Sequence, residues 1–187
     1  LLPMITSPEQ IDQTKKIIQT AYKLCGKDCE ITLDTIDKIY WNKLHDKSTQ
    51  YSDFAIYDTF KDFEKFTECA MKICVQTENK EIAKQIAESI DSCDYLPFSD
   101  IPWYKFSSAT ATKEHSIKIL SEKLNIKIEE IVAFGDDFND IEMLKLCGTG
   151  VAMQNAIPQV KEIADVITKT NNDDGVAKYI EENILNN

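Results

Sequence analysis

Arginine is absent from this chain of 187 residues; all 21 basic residues are lysines. Any anion the protein grips must therefore be held by lysine, by backbone amides or through a metal, never by a bidentate guanidinium fork. Glycine and proline are scarce, five of each, and that excludes collagen-like and low-complexity classes. No apolar run approaches the ~20 residues needed to span a bilayer, so no membrane partner is expected. The opening LLPMITSPEQ lacks a basic region and a cleavage motif, so nothing there suggests export. Positive charge is also in deficit: 32 Asp+Glu leave a net charge of −11. A field of that sign repels phosphate backbones, and no nucleic-acid partner is expected.

What is present is enough to build a core: 43% hydrophobic residues and six cysteines. Most of the cysteines lie in or beside apolar stretches of a chain too large to need staples, which points to reduced thiols in a cytoplasmic protein. Zinc through Cys25 and Cys29 lacks a second pair, and His45 and His115 stand alone.

Two textures divide the sequence. Residues 1–106 read as an α+β domain with an antiparallel sheet. Ser7-Pro8-Glu9-Gln10 starts a helix that ends near Gly26. Strands are expected at 30–33, 39–41, 54–57, 71–75, 95–98 and 103–107, with a short helix near Phe60 and another over 79–90. From 107 to 187 helix and strand alternate strictly, which implies an α/β fold with a parallel sheet. Thr112 caps a helix carrying Ile117, Leu120 and Leu124. Ile131–Phe134 reads as a strand buried on both faces. A helix with Ile141 and Leu144, a strand at 151–153, a helix begun near Pro158, a strand at 166–168 and a final helix from Asp173 or Asp174 follow. Tyr40, Trp41, Tyr57 and Trp103 suit either a core or a ligand-facing surface.

The stretch that carries chemistry is Phe134-Gly135-Asp136-Asp137-Phe138-Asn139-Asp140. An apolar strand ends in a glycine that lets the chain turn, then delivers carboxylates at the carboxyl edge of a parallel sheet, where open α/β folds bind ligands. Such carboxylates suit a hard cation such as Mg²⁺, which typically takes one or two of them and keeps several waters. Asp136, first after the strand, is the expected metal ligand. Asp137 reads more simply as a turn and helix-cap residue.

GDDFNDIEML, followed by GVAMQNA, ADVIT and NNDDGVAKYI, resembles the carboxy-terminal signature of the haloacid dehalogenase (HAD) superfamily. More narrowly it is similar to the Cof-type or subfamily IIB phosphatases. The likeness runs in order from about Lys113 to Ile184. It implies a HAD-like, Rossmann-type core half over 107–187 and a cap domain over 1–106. It implies that Asp136 ligates Mg²⁺, that Asn139 reaches the phosphate or metal shell, and that Asp140 supports them. It also implies that Lys113 holds the phosphoryl group, at a helix start where amides and dipole already favour an anion. A lysine there opposes the dipole and needs a compensating anion. The glycine common near that lysine is replaced here by Thr110-Ala111-Thr112.

The resemblance implies a Mg²⁺-dependent phosphatase that hydrolyses small phosphorylated metabolites through an aspartyl-phosphate. The nucleophilic DxDxT segment of such proteins has no counterpart in this sequence. Asp28-Cys29-Glu30-Ile31-Thr32 imitates it, but the apolar run follows the aspartate instead of preceding it. The expectation is that about 80 residues before Leu1, or a second chain, complete the core, and that the 187 residues alone are inactive. The alternative is a non-catalytic HAD-like module that binds a phosphorylated ligand.

Overall fold

The structure, a computed structural model, describes residues 8–43, 57–59 and 62–185. The chain divides into two compact units, 1–109 and 110–187. Ser7, His45, Phe60 and residues 54–56 of the strand expected at 54–57 lie outside the described residues.

In the first unit, helix α1 (Pro8–Cys25) precedes β1 (Ile31–Asp34), β2 (Ile39–Trp41), β3 (Tyr57–Thr59) and β4 (Lys72–Gln76). Helix α2 (Lys80–Ala87), β5 (Cys93–Pro97) and β6 (Trp103–Ser108) complete it. The sheet order is β3-β2-β1-β4-β6-β5. All neighbours are antiparallel except β2 and β3, which pair in parallel. The sheet is therefore mixed, where the sequence reading expects an antiparallel one. The period-2 pattern is visible in β1: Ile31 and Leu33 are buried, Thr32 and Asp34 half-buried on the other face. Ile18 and Ala21 of α1, Ile86 of α2, Val75 and Phe106 close one core with them. Tyr40 is buried and spans this core, edge-on to Phe66 at 5.3 Å with its hydroxyl donating to Glu68 Oε1 at 2.9 Å. Trp41 and Trp103 meet edge to face at 6.2 Å.

In the second unit, α3 (Lys113–Leu124) leads to β7 (Val132–Gly135), α4 (Ile141–Leu146), β8 (Thr149–Ala152), α5 (Pro158–Ile163), β9 (Val166–Ile167) and α6 (Gly175–Ile180). The sheet β7-β8-β9 is parallel throughout. Leu144, Cys147, Ala152 and Val160 are buried in its core, and Phe134 stands edge-on to Tyr179 of α6 at 5.4 Å.

Two expectations for this unit are corrected. Ile131–Phe134 is not buried on both faces: burial alternates along β7, Ala133 buried on one face and Val132 and Phe134 half-buried on the other, and β7 pairs with β8 alone among the described residues. The apolar stripe of α3 is only partly used. Ile117 packs on the core, whereas Leu120 and Leu124 are exposed.

Candidate active site

The site is built where β7 ends. Gly135 is buried, and a Cβ placed there would overlap the Cβ of Asp140. Its φ is not in the left-handed region, which among the glycines only Gly26 occupies. Glycine is thus required here for close approach rather than for the turn itself, a correction to the sequence reading. The space it leaves lets Asp140 fold back beneath the strand end.

Asp137 then caps the single turn Phe138–Asp140, its Oδ1 accepting from the Phe138 amide at 2.8 Å. Asp140 answers in the reverse direction. Its Oδ2 accepts from the amides of Asp136 at 2.9 Å and Asp137 at 3.2 Å. This reciprocal capping satisfies donors that would otherwise be orphaned at the start of the turn. The carbonyl of Asp136 accepts from the Ile157 amide at 3.0 Å and that of Gly135 from Met153 at 3.0 Å. The loop is thereby tied to the segment after β8.

Lys113 arrives from α3. Thr112 caps that helix, accepting from the His115 amide at 3.3 Å. The Lys113 ammonium, about half exposed, donates to Asp140 Oδ1 and forms an ion pair with it. The anion that a lysine at a helix start needs is therefore Asp140, which is only 3% exposed. Beside Lys113 opens a groove lined by Ser116, Ile117 and Met143.

The charges are unequally balanced. Burial alone would raise the Asp140 carboxyl, but the hydrogen bonds from Lys113 and from the two amides outweigh it, and the group sits below its ordinary range. Asp136 moves the other way. Desolvation comes first, then the negative charges of Asp140 and Asp137, and Lys113 offsets them only in part. One exposed carboxylate is thus left in excess negative potential at the strand tip. Asn139 lies half-buried in the same turn. Lys113, Asp136 and Asp140 come together; Asp28 belongs to the other unit and pairs with Lys43 at 3.7 Å. Asp140's part as the link between lysine and loop was not readable from the sequence beyond its capping-box spacing from Asp137.

A parallel sheet whose first strand ends in a carboxylate cluster tied to a helix-borne lysine defines an α/β protein with a polar centre at its sheet edge. The chain belongs to the haloacid dehalogenase-like hydrolase family, whose sequence pattern matches residues 4–180. Phosphatase YwpJ of Bacillus subtilis (strain 168) is 47% identical over 74 residues, 40% of this chain and 26% of that protein. YxeH of the same organism is 30% identical over 161 residues, 77% of this chain and 58% of its own length. The chain thus spans less than two thirds of these relatives. Among solved structures, a HAD subclass IIB sugar phosphatase, BT4131, superposes with a TM-score of 0.73 at 25% identity. That match covers 91% of this chain and 66% of the other. SMU.1108c from Streptococcus mutans UA159 gives 0.76 at 23% identity, covering 97% and 70%. The fold is that of the HAD-like hydrolases, a Rossmann-type α/β core with an α+β domain. No helix among the described residues is long and apolar enough to cross a membrane.

Proposed function

We propose that this sequence forms the cap (1–106) and the second part of the core (107–187) of a Mg²⁺-dependent phosphatase acting on small phosphate monoesters. The observation that carries the reading is the continuous set of bonds from Lys113 through Asp140 to the backbone of Asp136, beside a carboxylate left in excess negative potential. Lys113 is assigned to the phosphoryl oxygens, whose charge a preorganised ammonium stabilises. Asp140 is a positioning residue that fixes both the lysine and the loop. Asn139 is assigned to the phosphate or metal shell.

The chemistry of the donors fits Mg²⁺, for which one or two carboxylates suffice, with water filling other positions. Asp136 would hold it. No group of three or more His, Cys, Asp or Glu side chains converges among the described residues, so further protein ligands would come from the nucleophile segment. When bound, the cation supplies charge screening between nucleophile and phosphoryl group. The nucleophile is proposed to be an aspartate outside this sequence, on a strand that pairs with the edge of β7 that has no partner among the described residues. Its carboxylate attacks phosphorus and displaces the substrate's alcohol to give an aspartyl-phosphate, and water then hydrolyses that mixed anhydride, freeing inorganic phosphate and restoring the carboxylate. The six free thiols suit a cytoplasmic setting.

The test is phosphate release from a panel of phosphorylated sugars, nucleotides and cofactors, using the longest polypeptide of the reading frame that contains this sequence. Turnover abolished by EDTA and restored by Mg²⁺ is expected. Equal turnover in EDTA contradicts the metal assignment, and binding without turnover favours a non-catalytic module.

A further inference from the structure

The chemistry at Lys113 leaves unused a pair of thiols at the C-terminal end of α1, in the first unit. Cys25 is the last residue of that helix, and Gly26 follows with φ of 87°, turning the chain sharply. The Gly26 amide closes on the Tyr22 carbonyl at 3.0 Å, and the Cys29 amide on the Gly26 carbonyl at 3.1 Å. These two bonds fold residues 26–29 into a compact turn that sets Cys29 beside Cys25 at the end of the helix. Cys29 is 8% exposed and anchored, its Sγ donating toward the carbonyls of Gln76 at 3.5 Å and Glu30 at 3.6 Å. Cys25 is half-buried and reachable from solvent.

We propose that Cys25 and Cys29 are an oxidisable dithiol, with Cys25 the thiol that meets a hydroperoxide and Cys29 the thiol that resolves it into a disulfide. Three observations converge: a buried, anchored partner; an accessible attacking group; and a turn that holds the two together. Their acidities differ in the direction the roles require. Hydrogen bonds from Cys29 and Thr77 outweigh burial and lower Cys25 to about 7, whereas Cys29 is pushed up. Burial raises Cys69, Cys74 and Cys147, and Cys93 is pushed up to about 11. None of the other four shares this character. The Cys25 thiolate displaces hydroxide from the peroxide, which becomes water on protonation, and Cys25 becomes a sulfenic acid. The Cys29 sulfur then attacks that sulfur, loses its proton, and a second water leaves as the disulfide forms.

A lowered pKa enriches Cys25 in the nucleophilic thiolate at neutral pH. The experiment treats the 187-residue chain with a small excess of hydrogen peroxide, then alkylates the unfolded protein with iodoacetamide. The expected product carries four alkyl groups rather than six, has lost two hydrogens, and yields the tryptic peptides 24–27 and 28–38 joined. In Cys29→Ser, dimedone should trap a sulfenic acid at Cys25; in Cys25→Ser neither bridge nor adduct should form. Alkylation of all six thiols after peroxide, or a bridge between any other pair, overturns the proposal. The mapping of the unsubstituted chain decides this even if a variant fails to fold.

Discussion

Asp140 is the residue on which the site turns. It is nearly sealed from solvent, yet satisfies two amides and one ammonium at once. Replacing it with Asn removes the charge that Lys113 and both amides address and keeps the shape. The expected result is a loss of about 1–3 kcal/mol in denaturant stability at pH 7; an unchanged midpoint would show that the pair contributes nothing. Gly135→Ala tests the same arrangement from beneath. The added methyl overlaps Asp140, so overpacking of about 1–3 kcal/mol is expected, again read from the denaturant midpoint. Full stability of that variant would contradict the steric role given to the glycine. The places of Asp136 after a strand and of Lys113 at a helix start were legible because a strand end and a helix cap announce themselves locally, while the role given to Lys113 came from the family resemblance. The burial of Asp140 was not, since it depends on Gly135 and α3 meeting in space.

At the scale of elements, β1, β2, β4, β5 and β6 of the first unit were legible to within two residues, helped by the alternation along β1 and β2, whereas β3 meets the expected 54–57 only at Tyr57. The helix expected over 79–90 is shorter, ending at Ala87, with Ser89 and Ile90 turning back by single-turn bonds onto Ile86 and Ala87. Its start was clear: Asn79 accepts from the amides of Glu81 at 3.0 Å and Ile82 at 3.3 Å. Asn79→Ala should therefore cost about 1 kcal/mol, measurable by urea unfolding, and a cost near zero would mean the cap is not used in solution. The parallel pairing of β2 with β3 was not legible, because a strand-like pattern does not reveal the direction in which two strands pair. The exposure of Leu120 and Leu124 was equally hidden: periodicity reveals an apolar stripe but not whether anything lies against it.

At the scale of the molecule, two units carry two separate cores, one from Ile17 to Phe106 and the other from Ala133 to Val160. Among the described residues the second leaves β7 with one neighbour and exposes Leu120, Leu124, Val166 and Ile167. An open strand edge beside apolar surface invites pairing. The 187-residue chain is expected to associate as its concentration rises in sedimentation velocity, whereas a strict monomer with slowly exchanging β7 amides would contradict an open edge. The central claim is that the tip of β7 holds the catalytic cation through Asp136 while Lys113 meets only the phosphoryl group. It is tested most directly by the Mg²⁺ dependence of turnover in the catalytically complete polypeptide carrying Asp136→Asn or Lys113→Ala. Asp136→Asn should shift half-saturation to higher Mg²⁺. Lys113→Ala should cut turnover by ~10²–10³ and leave the Mg²⁺ midpoint nearly in place. An unshifted Mg²⁺ curve in Asp136→Asn, or full turnover in Lys113→Ala, would contradict it.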